Sequence, residues 1–413
     1  MSNTASRYAV WMILLAAAGT FALTMGTRQT MGLFLSDVNR ATGLGIANIS
    51  LAFAFGQLWW GLTQPFAGAF ADRVGAGRVL LIGVSLVALG TILTPLMAST
   101  AGLVFAIGVL AAGGAGMAGP SVLMAATTRM LPAEKRGMAT GIVNAGGSFG
   151  QFIMAPVAAG LTAALGWMTS MQVLGLIVLL ALPAAWVLRG NSSAAASTAA
   201  TGVAGGSAPA REGTRAAITR ALADPSYRLL ACGFFVCGFH VAFLATHLPN
   251  VVAMCGLPPA VSAWSLGLLG LFNIVGSLAM GWAVGRWRMK SLLSLVYAAR
   301  GVAVLIFLLS PKTATTMLIF AAVMGLTYLS TVPPTAGLVA KFFGPANMAT
   351  LFGIVMLSHQ LGGFTGAWLG GKVFTMTGSY DTIWIIDVLL AVGAALVHMP
   401  IKEAALPPKV QPA

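Results

Sequence analysis

The sequence predicts an all-α membrane protein of twelve transmembrane helices, set in two pseudo-symmetric six-helix bundles. Three observations predict it. Of 413 residues, 58% are hydrophobic and 7% charged, and the mean hydropathy is +0.92, whereas a soluble chain is roughly 45–50% apolar. The apolar residues gather in runs near the ~20 that a helix needs to cross the hydrocarbon. These runs fall into two sets of six, and the loops of one set echo those of the other.

In chain order, the first six runs lie at about 9–35, 48–70, 78–97, 101–129, 138–160 and 168–189. The first lacks the short apolar core and cleavage site of a signal peptide, so it reads as an uncleaved helix. It carries Arg28 and Gln29 well inside its apolar stretch. The fifth carries Asn144, then Gly146, Gly147 and Gly150 ahead of Ala155-Pro156. Residues 191–210 (NSSAAASTAATGVAGGSAPA) are small and polar and read as a flexible linker. Arg211, Arg215 and Arg220 then alternate with short apolar steps, which suits a helix lying at the headgroups. The chain divides accordingly into an N-terminal bundle at 1–190, a linker at 191–227 and a C-terminal bundle at 228–413.

The second six runs lie at about 228–253, 262–284, 290–310, 314–341, 348–372 and 381–401. The seventh holds His240 and His247, seven apart and so on one face; Pro249 is expected to break it. Asn273, Arg300, Tyr328 with Thr331, and His359 with Gln360 fall in the eighth to eleventh runs. Cys232, Cys237 and Cys255 make no disulfide framework and read as small packing residues. His398 is placed at the interface. The 51 glycines follow no collagen period and suit closely packed helices.

Charge orients the chain. With both termini cytoplasmic, 17 basic residues fall inside and 3 outside (Arg40, Lys312 and Lys372), the bias expected of a membrane protein. The net charge of +14 therefore has a topological cause and implies no nucleic acid. Arg28 and Arg300 are left within the membrane. The eight acids, Asp37, Asp72, Glu134, Glu212, Asp224, Asp381, Asp387 and Glu403, all map to loops or helix ends, so no carboxylate is expected at the midplane.

The two halves repeat in parallel: GAFADRVGAGR at 68–78 precedes RMLPAEKRGMATGI at 129–142, and GWAVGRWRMK at 281–290 precedes KFFGPANMATLFGI at 341–354. Two such six-helix units are the layout of secondary transporters with a midplane site between halves. The segment Gly68–Arg78 resembles the loop signature of the major facilitator superfamily, over essentially the whole chain. RMLPAEKRGMATGI, LADPSYRLL before the seventh run and GLFNIVGS in the eighth are similar to the monocarboxylate transporter and oxalate:formate antiporter branch. The resemblance implies alternating access, with a solute between helices 1, 4, 5, 7, 8, 10 and 11. It also implies gating roles for Asp72, Arg73, Arg78 and Arg136; the second loop has Gly285 where the acid would stand. Two departures matter. The branch's helix-8 arginine slot holds Ser277, and the acid-Gly motif of helix 1 is missing. His359 matches a basic residue of the branch's helix 11. The helix-5 glycines echo the drug-antiporter signature only in part, because alanine precedes Pro156.

A guanidinium at membrane depth costs roughly 2.5–3.5 kcal/mol on insertion scales, and arginine grips carboxylates through two parallel charge-assisted hydrogen bonds. Arg28 is therefore the leading substrate-binding candidate. Gln29, His359, Gln360, Asn144, Asn273, Tyr328 and Arg300 join it as candidates. His240, His247 and His359 are candidates for a coupled proton, since histidine titrates near neutrality. The expectation is a monomeric, non-enzymatic carrier of a small organic anion in a bacterial inner membrane. No cofactor, metal or catalytic residue is expected, and the partners are the anion, protons and the bilayer. Drug efflux, or a receptor that binds without transport, are the competing expectations.

Overall fold

A computed structural model describes residues 3–131, 135–189, 214–344 and 348–404. The described residues form twelve long helices: α1 (Asn3–Thr30), α2 (Ile46–Val74), α3 (Ala76–Leu93), α4 (Thr100–Met130), α5 (Arg136–Leu165), α6 (Trp167–Val187), α7 (Pro225–Met254), α8 (Pro259–Val284), α9 (Met289–Leu309), α10 (Ala314–Phe343), α11 (Met348–Thr377) and α12 (Asp381–His398). A 3-10 turn (Met31–Phe34) and a short helix (Leu35–Thr42) extend α1. A helix at Thr214–Ala223 packs Ala217 and Ala221 against the second half. The side chain of Arg136 and the residues from 190 to 213 lie outside the described residues.

Ten of the twelve are long and apolar enough to cross a bilayer. The exceptions, α2 and α11, are long enough at 29 and 30 residues but less apolar. The reason is positional: they pack on each other across the two halves, so Gln57 and Gln360 face the seam, where they hydrogen-bond at 3.0 Å. Large side chains facing outward, such as Leu309 at 80% exposure, suit a lipid surface.

Each half is knitted by small residues at close approaches. A methyl on Gly26 of α1 would sit 2.6 Å from the carbonyl of Gly150 in α5. The helix-5 glycines thus have a packing role, because only glycine lets these backbones approach. In the second half Gly362 and Gly366 of α11 lie against the carbonyls of Phe235 and Phe239 in α7. The bonds Ser36–Asn250 (2.8 Å), Gln57–Gln360 and Asn273–Ser148 (2.8 Å) join the halves from mid-helix to the end remote from the termini.

Four expectations are corrected. The helix does not break at Pro249, which lies inside a continuous α7. Asp387 is not at a helix end in solvent: it sits in the second turn of α12 and is fully buried. His398 is buried rather than interfacial, its ring stacked on Tyr297 at 5.1 Å. Cys232 is exposed and packs nothing in the core.

Candidate functional site

A small cavity of about 50 Å³ lies between the halves. It is walled by α1 (Arg28, Gln29), α2 (Phe53, Gly56, Gln57), α3 (Val87, Thr91), α4 (Ile107, Ala111, Ala112), α7 (Ala242, Ala245, Thr246) and α11 (Ala367), with Met31 and Gly32 from the turn. α2 and α3 contribute where the resemblance had implied α5, α8 and α10. The α4 wall comes from a π-helical stretch, Val104–Ala111. Such wide turns inside α-helices recur at functional sites.

Among the described residues, Arg28 is the only charged one lining this cavity. It is half-buried and donates to Gln57 Oε1, with its guanidinium 5.0 Å from the ring centre of Trp60. Asp37 does not reach it, because Asp37 pairs with Arg40 three residues on. A guanidinium only donates, so the Gln57 amide must present its oxygen to Arg28. Gln57 Nε2 then faces Gln360 Oε1 at 3.0 Å, which leaves Gln360 Nε2 a buried donor without an acceptor. Trp60 Nε1 is likewise a buried donor without a partner. The arrangement is a cation in the cavity wall with spare N–H groups on Trp60 and, through Gln57, on Gln360, neither of which lines the cavity, and no acid among the described residues of the wall. Burying a charge is costly unless it is paired, and here the partners are a neutral amide and an aromatic face.

The sequence-predicted residues divide between this site and others. Arg28 and Gln29 line the cavity, and Gln360 joins through Gln57. His359, next to Gln360, turns away and packs on Phe234 with ring centres 4.9 Å apart. Asn144 is exposed on α5. His247 has both ring nitrogens occupied, Nε2 by the Ala367 carbonyl (2.7 Å) and Nδ1 by the Tyr380 hydroxyl (3.1 Å). Asp72 pairs with Arg129 at the ends of α2 and α4, both half-exposed, while Arg73 and Arg78 are exposed.

Asn273, Tyr328 and Arg300 meet elsewhere, around an interruption in α10 at Tyr328–Thr331. Arg300, 1% exposed, donates to the carbonyls of Thr327 and Tyr328 (2.7 Å to the latter). Asn273 Oδ1 accepts from the Leu329 amide at 3.0 Å, and the Tyr328 hydroxyl donates to the Val241 carbonyl at 3.0 Å. A break in a helix strands backbone groups; Arg300 and Asn273 take up those of α10, while Tyr328 ties the break to α7. Sequence reading missed Gln57 and Trp60, which carry no charge, and Asp387, which it placed at a helix end.

A profile of the Major Facilitator Superfamily matches residues 13–367 and 256–412. The chain belongs to this superfamily. The rat (Rattus norvegicus) monocarboxylate transporter 13 is 24% identical over 401 residues, covering 94% of this chain and 89% of its own. The oxalate:formate antiporter of Oxalobacter formigenes is 22% identical, covering 92% and 88%. A bacterial homologue of the human lysosomal transporter Spinster, crystallised in an inward-facing, unoccupied conformation, superposes with a TM-score of 0.76 at 15% identity, over 94% of this chain and 96% of that one. The superfamily's twelve-helix fold is therefore the fold of this chain, which is an integral membrane transporter and not an enzyme.

Proposed function

We propose that this superfamily member carries a small organic anion, a mono- or dicarboxylate, by alternating access. It works in a bacterial inner membrane with both termini cytoplasmic, moving the anion with a proton or in exchange for a second anion. One observation carries the reading: Arg28 stands in the inter-half cavity beside neutral partners and unspent N–H donors, with no acid among the described residues of the wall. An anion supplies what the site lacks, and arginine binds carboxylates in a planar, two-pronged fashion. Pairing Arg28 would favour the conformation that encloses the solute. The relatives named for monocarboxylates, oxalate and formate add support from sequence.

Counterflow in proteoliposomes tests this. Vesicles loaded with an unlabelled carboxylate should accumulate the labelled one, and other carboxylates should compete while lipophilic cations do not. Competition by lipophilic cations alone would give the drug-efflux reading, and saturable binding without uptake the receptor reading.

A further inference from the structure

We infer that Asp387 and His240 form a buried proton-binding site which controls, through Arg300, the break in α10. This inference concerns the C-terminal half alone and holds whatever the solute. Asp387 lies six residues into α12, about 9 Å past its start at 1.5 Å per residue. Asp387 is fully buried, and His240 and Arg300 are each 1% exposed. His240 Nε2 lies 3.2 Å from both the backbone carbonyl and Oδ1 of Asp387. Neither carboxylate oxygen receives a well-formed hydrogen bond, and His240 Nδ1 has no partner.

A bare carboxylate buried without hydrogen bonds is strongly disfavoured. A proton on the pair removes that cost. Held on Nε2, it points at the two Asp387 oxygens; held on Oδ1, it points at Nε2. The pair therefore binds one proton from bulk water and returns one to bulk water, with no other reactant.

Arg300 links this pair to movement. Its helix α9 packs on α12 next to the pair, a methyl on Gly301 standing 4.0 Å from the Val388 carbonyl, and no ion pair joins Arg300 to Asp387 among the described residues. Its Nη2 holds the α10 carbonyls, whereas Nε and Nη1 are buried donors without acceptors. While the pair carries its proton, Arg300 serves the end of the first α10 segment, where a cation also suits the helix dipole. When the proton leaves, the new carboxylate competes for the same guanidinium, and α10 loses its cap. The titratable groups against Arg300 are Cys237 of α7, its Sγ 3.6 Å from Nη2, and Tyr297 of α9, its ring centre 5.3 Å from the guanidinium, while His359 of α11 packs on Phe234.

Infrared difference spectroscopy across a pH change, on the full-length protein in lipid without solute, reads the site directly. A carbonyl stretch from a protonated carboxyl should vanish as pH rises, and Asp387→Asn should remove that band. Hydrogen exchange at residues 328–332 should rise about tenfold over the same pH interval, as expected for losing at least ~1.4 kcal/mol of capping. In Asp387→Asn that exchange should stay slow at every pH. A titrating band that survives in Asp387→Asn, no titrating band at all, or α10 exchange that ignores pH would each overturn the inference. If Asp387→Asn does not fold, His240→Gln replaces it: the band should shift in frequency and in titration midpoint, and an unmoved band would overturn the proton pair.

Discussion

At the scale of single residues, the site works because Arg28 can only donate and Gln57 can turn to meet it. Removing that acceptor has a defined consequence. Gln57→Leu should lower stability by ~1–3 kcal/mol, the usual cost of a stranded buried polar group, seen as a fall in the thermal unfolding midpoint. A bound carboxylate should then raise the midpoint more than it does in the wild type, because it supplies the missing acceptor; an equal rise would count against the pairing. Arg28 was legible in the sequence because a lone charge in an apolar run stands out on composition alone. Gln57 was not, since a neutral amide in a helix carries no comparable signal and its value depends on which residue of another helix it meets. Asp387 was misread because six residues from a helix start looks like an end, whereas α7 and α9 bury that turn from outside its own sequence.

At the scale of helices, the functional distortions lie in α4 and α10. The sequence pointed to a break at Pro249, yet α7 runs through it and α10 breaks instead. The signal for α10 was present in Pro333-Pro334, which sit in the first turn of the second segment, because a proline donates no N–H to the carbonyl four residues back and its ring clashes with that carbonyl. Proline position alone does not decide which helix yields; the capping groups Arg300 and Asn273 make the α10 break affordable. The opposite constraint governs α7 and α11, where Gly366 lets a carbonyl approach. Gly366→Leu should destabilise the protein by ~1–3 kcal/mol through overpacking, measured in detergent by thermal unfolding. A midpoint within error of the wild type would mean the two helices are less tightly seated than described.

At the scale of the molecule, the halves meet from mid-helix to the end remote from the termini, and the proposed alternating access requires that contact to open. The twelve helices were readable from run length, because bilayer thickness imposes it. The seam was not readable, since it depends on which polar faces the two halves turn toward each other. Ser36→Cys with Asn250→Cys, in a chain with Cys232 and Cys255 replaced by serine, should cross-link through a short thiol reagent. Uptake should be lost on cross-linking and return on reduction; full uptake in the cross-linked protein would show that this contact need not part. The central claim, that positive charge at Arg28 awaits an anion, is tested most directly by equilibrium binding of carboxylates to purified wild type and Arg28→Gln. The account predicts saturable binding in the wild type, weakened about tenfold or more in the variant, in line with ~1.5–3 kcal/mol for a hydrogen bond to a charged group. Equal affinity in both proteins, with the variant folded, would contradict it.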